Sequence, residues 1–227
     1  MEKLFLISNE SIFNYQENFF CDNIDIKSTS EGLNNKFEVN ILGRKSNRIR
    51  SHKINLKNIK TYNSIITFLF GIFKSIKNKK SKYLIISISP FTMIACVFLT
   101  LFKIKPIVYL RSDGYGEYKS ILGFFGPAIY HIMFFIVSKI SNLISCREYI
   151  LYGKQGDIVE PSQLTKKWLS NQKVSYKDKT KLLYVGRLKV EKGIFSLLKI
   201  LKDSNENVNL SIVGAEKNSN KNINQKN

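Results

Sequence analysis

The sequence predicts an α/β fold built on parallel sheets. Three observations carry that reading. Short apolar strand-like runs alternate with helical runs along the whole chain, which is the pattern of strand–helix–strand units. Two of the strand runs, Tyr83–Ile88 and Ile107–Leu110, are apolar on both faces, as strands buried in a parallel sheet are. The joints between neighbouring runs are tight and carry Ser, Pro or Gly. With 227 residues the chain exceeds one typical domain, so one large domain or one plus a further piece is expected. Hydrophobic residues make up 44% and aromatics 12%, enough for a buried core, which excludes disorder of the chain as a whole. Four prolines and twelve glycines exclude collagen-like and proline-rich architectures.

Taken in order, Lys3–Ser8 reads as a first strand and is too short an apolar run for a signal peptide. A polar loop with Asn9, Glu10, Ser11 and Asn14 follows. Thr29–Asn35 is a short helix, and Phe37–Leu42 a second strand closed by Gly43. Ile65, Leu69, Ile72 and Ile76 recur at helical spacing, so Tyr62–Lys77 is an amphipathic helix. The uncharged stretch Tyr83–Phe102 is long enough to span a membrane. However, Ser89-Pro90 punctuates it after a strand-like start, and proline suits the first turn of a helix, so strand then helix is the preferred reading. Arg111–Tyr118 reads as a glycine-containing polar loop, Pro127–Lys139 as a very apolar helix and Asn142–Cys146 as a strand. Gln155–Lys179, with Pro161 and Trp168, has no strong period and behaves as a connection. Leu182–Val185, Glu191–Lys202 and Asn209–Val213 then read as strand, helix and strand, before an Asn/Lys-rich end. The expected domains are therefore residues 1–176 and 177–227, the second holding one strand–helix–strand unit.

Lys and Arg number 36 against 17 Asp and Glu, a formal charge of +19. Such a balance favours an anionic partner: nucleic acid, acidic lipid or a phosphorylated substrate. The basic run Arg44–Lys60, with Lys77, Lys79, Lys80 and Lys82, reads either as a surface facing anionic lipid or as an ordinary solvated face. Zinc spacings, RNP motifs and helix-turn-helix signatures are absent from the sequence, which counts against nucleic acid. Cys21, Cys96 and Cys146 are odd in number and widely spaced, so neither a disulfide framework nor a metal-binding pair is expected, and a reducing cytoplasmic compartment fits. His131, within an apolar helix, reads as a core or interface residue.

The most informative stretch is Leu182-Leu183-Tyr184-Val185-Gly186-Arg187-Leu188-Lys189-Val190-Glu191-Lys192-Gly193. An apolar strand ends at Gly186, Arg187 stands at its carboxyl end, and Lys192 and Gly193 open a helix. In open α/β sheets ligands bind outside the carboxyl ends of strands. A helix N-terminus adds unsatisfied N–H groups suited to phosphate, and two cations beside it neutralise a diphosphate. The plainer reading is a strand–loop–helix with two solvated charges. Neither GxxxxGK[ST] nor GxGxxG occurs. On the first-domain side, Arg111, Asp113 and Glu117 follow a strand and are candidates to bind hydroxyls or phosphate, with Asp113 able to assist a proton transfer; loop closure by polar residues is the alternative.

YVGRLKVEKGIFSLLKIL followed by LSIVGAEK resembles the donor-binding core of family 4 glycosyltransferases of the GT-B fold. ISPFTMIACVFLTLFKIKPIVYLRSD is similar to that family's SP-helix-IPxVxxxRD pattern, and Asn142–Cys146 followed by Ile158-Val159-Glu160-Pro161-Ser162 loosely resembles the run of strands leading to its PNG-type turn, which is itself poorly preserved. The resemblance runs from about Lys82 to Lys217. It implies a GT-B-like pairing of two Rossmann-like domains, the second truncated, and a glycosyltransferase that takes sugar from a nucleotide-diphosphate sugar, with retention, to a lipid-linked or polysaccharide acceptor. By the same resemblance Arg187, Lys192 and Gly193 hold the donor diphosphate, Gly186 and Gly214 allow close approach of backbone, and neither cofactor nor metal is required. Nucleic acid is not an expected partner; an anionic membrane surface at the inner face is. The family's paired glutamates lie on a helix further along than Asn227, so an inactive remnant that keeps an acceptor-binding domain is the competing expectation.

Overall fold

The computed structural model describes residues 1–76, 81–160, 181–186, 188, 190–204 and 208–214. The chain divides into two compact units, Met1–Gln163 and Leu164–Asn227. The expected boundary at residue 176 lies outside the described residues, as do Arg187, Trp168, Lys77, Lys79 and Lys80.

The first unit runs β1 (Glu2–Tyr15), β2 (Asn18–Cys21), α1 (Ile24–Leu33), β3 (Phe37–Ser46), β4 (His52–Ile54), β5 (Ile59–Tyr62), α2 (Ile65–Ile76), β6 (Lys82–Ile86), α3 (Pro90–Leu101), β7 (Ile107–Leu110), α4 (Gly114–Leu122), α5 (Gly126–Ile140), β8 (Asn142–Ser145) and β9 (Asp157–Ile158). Its parallel sheet has the order β5–β3–β1–β6–β7–β8–β9. The strand order therefore reverses between β1 and β6, the kind of switch point at which open α/β sheets bind ligands. β1 is far longer than its apolar run. Past an irregularity between Ile7 and Ser11 it stays paired with β3 and turns antiparallel into β2. Gln16 and Glu17, both at positive φ, make the two-residue turn whose twist suits such a hairpin.

Helices cover the two faces unequally. On one face α2, α3 and α5 pack Phe68, Ile72, Cys96, Leu99 and Phe134 against Ile7, Ile85 and Val108. On the other, α1 places Ile26 against Leu6, Ile41 and Ile86. Fully burying a side chain such as Phe68 or Leu99 contributes roughly 1.5–3 kcal/mol.

Tyr83–Phe102 divides into strand and helix as the punctuation requires. Ser89 caps α3 by accepting from the Thr92 N–H (3.2 Å), and the Thr92 hydroxyl accepts from the Ser89 N–H (2.8 Å). Arg111–Tyr118 is not one loop: α4 begins at Gly114, because Asp113 caps it and its glycines let it pack closely. A Cβ on Gly114 would lie 2.0 Å from the Tyr130 ring, and one on Gly126 2.0 Å from the Tyr118 carbonyl oxygen. Together Gly114–Ile140 spans 27 residues and is long and apolar enough to cross a membrane. It is folded into a helical hairpin, with Gly123 at φ 64° ending α4 and Tyr115 meeting Tyr130 edge to face at 4.9 Å.

The second unit contains β10 (Lys181–Val185), α6 (Ile194–Asp203) and β11 (Asn209–Val213), with β10 and β11 parallel. Ile194 is buried and Leu197 and Leu201 are half-buried, while Leu198 on the same helix is 42% exposed. Leu183 and Val185 are 66% and 69% exposed.

Candidate functional site

In the first unit the carboxyl end of β7 carries Arg111 and Asp113. The Arg111 guanidinium pairs with the Asp25 carboxylate at the start of α1, and its side chain is largely buried. Burial pushes the Arg111 pKa down, against the pull of Cys146. Asp113 is the N-cap of α4 and accepts from the Tyr115 N–H at 3.0 Å. The same oxygen, Oδ1, accepts a short hydrogen bond from the Tyr152 hydroxyl. Tyr152 reaches it from a left-handed residue (φ 49°) after β8. Burial first, and Asp113 second, push the Tyr152 phenol well above the ordinary tyrosine range. Tyr115 meets the Tyr152 ring edge to face at 4.5 Å and shares a 2.8 Å hydrogen bond between its hydroxyl and His131 Nδ1. Burial raises the Tyr115 pKa too.

Asp113 is thus hydrogen-bonded by the Tyr152 hydroxyl and the Tyr115 N–H, and Tyr115 links Tyr152 to His131. Glu117 is exposed, one turn into α4, where its backbone N–H donates to the Asp113 carbonyl at 3.0 Å. Of the three residues expected on this side, Arg111 is committed to Asp25, Asp113 is held by the Tyr115 N–H and the Tyr152 hydroxyl, and Glu117 follows Asp113 by one helical turn with its side chain exposed. Asp25, Tyr152 and the tyrosine–histidine pair were not expected. His131 is exposed on α5, not part of the core.

In the second unit the carboxyl ends of β10 and β11 carry two glycines level with one another. The last paired residues are Val185 and Val213, so Gly186 and Gly214 come next on adjacent strands. The Gly186 N–H donates to the Val213 carbonyl at 3.0 Å, and a Cβ on Gly214 would lie 1.8 Å from the Gly186 carbonyl oxygen. Only glycine fits at residue 214. Lys192 is exposed in a 3-10 turn, and Gly193, at φ 74°, leads into α6. Among the described residues no side chain caps that helix, and a helix start without a cap offers its first N–H groups to water or an anion. Gly186, Gly214, Lys192 and the α6 N-terminus belong to the same strand–helix–strand unit; Arg187 lies outside the described residues. Among the described residues no cluster of His, Cys, Asp and Glu is set to hold a metal.

Residues 166–226 match the glycosyl transferases group 1 family, and that stretch contains β10, α6 and β11. Among curated protein sequences none matches the chain. Among solved structures, MurG of Acinetobacter baumannii is similar with a TM-score of 0.47 and 8% identity, over 95% of this chain and 69% of that one. UDP-GlcNAc 2-epimerase of Methanocaldococcus jannaschii gives 0.44 and 15%, over 92% and 65%. A putative UDP-N-acetylglucosamine 2-epimerase of Listeria monocytogenes gives 0.43 and 12%, over 93% and 62%. The chain spans less than two thirds of the length of these two epimerases.

Proposed function

We propose that the protein is a glycosyltransferase that takes sugar from a nucleotide-diphosphate sugar, with retention, and delivers it to a lipid-linked or polysaccharide acceptor. The observation that carries this is the group 1 segment, whose paired strand-end glycines and uncapped α6 N-terminus suit a diphosphate. Lys192 and Arg187 supply fixed cations for the leaving diphosphate, a task that needs no metal. Asp113, Arg111 and Glu117 serve the acceptor side, Asp113 as the group nearest a hydroxyl to be deprotonated.

The acceptor side works at the inner face of a membrane. Phe124 and Phe125, at the bend of the α4–α5 hairpin, are 89% and 71% exposed, and Ile66, Phe70 and Ile132 extend the apolar surface over α2 and α5. Lys74 and Lys139 lie over the rings of Phe70 and Phe135, with Nζ 4.4 and 4.0 Å from the centroids. Aromatic rings with basic side chains laid along them suit the interface of an anionic bilayer. These side chains support a lipid-facing surface on the helical layer; the basic run Arg44–Lys60 lies on and between β3, β4 and β5.

Donor binding is the direct test. UDP, GDP and ADP are titrated against the wild-type chain and against Lys192→Ala and Arg187→Ala. Loss of one charge-assisted contact of about 1.5–3 kcal/mol corresponds to a fall in affinity of roughly ten- to a hundredfold for the preferred nucleotide. Unchanged nucleotide affinity in the double variant would remove the donor assignment.

A further inference from the structure

Among the described residues, the face of the first sheet that carries α1 is only partly covered. A groove of about 450 Å³ runs there beside α1, over β6, β7 and β8. Its floor is apolar, with Leu84, Ile107 and Ile144 on neighbouring strands. Gly32 of α1 leaves the wall open, since a Cβ there would meet nothing within 4 Å. Along β7 the groove reaches from Ile107 to Arg111, four residue steps or roughly 13 Å of strand. Its shape is a slot for a chain, and its volume suits a small ligand.

Ile107 and Ile144 also line a second depression, of about 610 Å³, at the amino ends of β7, β8 and β9. Its chemistry is the opposite. Lys105 precedes β7, Lys139 stands in the last turn of α5 and Lys154 precedes β9, against Asp157 as the one acid of the lining. Among the described residues none of these three ammonium groups pairs with a carboxylate. Lys139 lies over the Phe135 ring, which leaves its charge uncancelled. Three cations against one acid leave a surplus of two positive charges. Ser138, Asn142 and Gln155 add neutral hydrogen-bonding groups.

The other end of the groove differs in sign. There the Asp25 carboxylate is spent on Arg111, and Glu160 adds an acid. Lys82, on the amino side, is spent on Glu2 at 2.8 Å. An apolar slot with surplus cations at one end and an acid at the other fixes the direction in which an amphiphile lies.

We infer that this groove binds a single-chain lipid with an anionic head, its alkyl chain lying along β7 beside α1 and its head on Lys105, Lys139 and Lys154. The site is independent of sugar transfer, and binding alone reads it.

The test titrates the purified chain by calorimetry with decyl phosphate, held below its micelle-forming concentration, and with inorganic phosphate, decanol and decyltrimethylammonium. Decyl phosphate is expected to bind saturably. Each buried methylene is worth about fourfold in affinity, so inorganic phosphate is expected to bind at least about a hundredfold more weakly. Decanol and decyltrimethylammonium lack the anionic head and are each expected to bind at least about fivefold more weakly. Lys105→Ala with Lys154→Ala removes two exposed ammonium groups, so decyl phosphate weakens about five- to tenfold while decanol is unchanged. Gly32→Leu fills the groove from α1 and puts a better helix former in that helix, so the variant folds and weakens decyl phosphate and decanol alike, by at least about tenfold. If thermal unfolding shows that this variant is destabilised, the probe series and the lysine pair decide alone. Absence of saturable decyl phosphate binding, equal or tighter binding of decanol or decyltrimethylammonium, or unchanged affinity in the lysine pair or in a folded Gly32→Leu would overturn the proposal.

Discussion

Asp113 joins two roles at one oxygen: it caps α4 through the Tyr115 N–H and accepts from the Tyr152 hydroxyl. Asp113→Ala should cost about 0.5–2 kcal/mol for the lost cap alone, measurable by urea unfolding. It should also bring the Tyr152 phenol down, because the carboxylate is one of the causes holding it high. Ultraviolet titration of phenolate, with Tyr152→Phe as reference, reads that change. In the folded state Tyr152 holds its proton above the range where an unfolded tyrosine releases it. Stability from this residue is therefore present below the ordinary tyrosine pKa and is lost as pH rises beyond it. An unaltered phenolate titration in Asp113→Ala would show that Asp113 does not govern Tyr152. Asp113 stood out from sequence because a polar residue after an apolar strand is a local signal. Tyr152 gave none, since its contact depends on a left-handed turn after β8. The pairing of Arg111 with Asp25 was equally invisible, because only the sheet brings the end of β7 beside the start of α1. In the second unit Gly186 and Gly214 were legible because each ends a strand whose apolar run is plain.

At the scale of elements, the α4–α5 hairpin depends on two close approaches. Gly126→Ala puts a methyl 2.0 Å from a backbone carbonyl oxygen, which no side-chain rotation relieves. Overpacking of this kind typically costs 1–3 kcal/mol, and here about 3 kcal/mol is expected, seen as a lower urea midpoint. A midpoint within error of wild type would mean that α4 and α5 are not packed this closely. Local punctuation made several elements readable: α3 starts at Pro90, and β11 spans Asn209–Val213 as its apolar run requires. β1 was underestimated because Ser11, Ile12 and Phe13 are held extended by β3 beside them and by the hairpin beyond, past the irregularity that takes in Asn9 and Glu10. α4 was hidden because Gly114 and Gly116 weaken helix propensity, and its stability comes from the cap and from α5.

For the whole molecule, charge and exposed apolar surface act together. On the proposed membrane role, the net charge of +19 should draw the chain toward anionic vesicles and the Phe124–Phe125 bend should then insert. Phe124→Ser with Phe125→Ser should reduce vesicle binding by at least about tenfold, since burying two aromatic side chains contributes roughly 3–6 kcal/mol before losses. Both residues face solvent, so the unfolding temperature should hardly move. Added salt should weaken the remaining association as exposed charges are screened. Sedimentation with vesicles measures both effects. Binding indifferent to both salt and the double substitution would place the contact elsewhere.

The three thiols carry one more consequence. Cys21 and Cys96 are buried, and burial pushes their pKa values up to about 11 and about 12. Cys146 is half-buried and donates to the Arg111 carbonyl at 3.1 Å. Thiol reagents attack the thiolate, so Cys146 reacts first and the other two only when the sheet opens. The chain therefore contains its own stopwatch: counting alkylated cysteines by mass over time separates motion near Arg111 from global unfolding, without any engineered label.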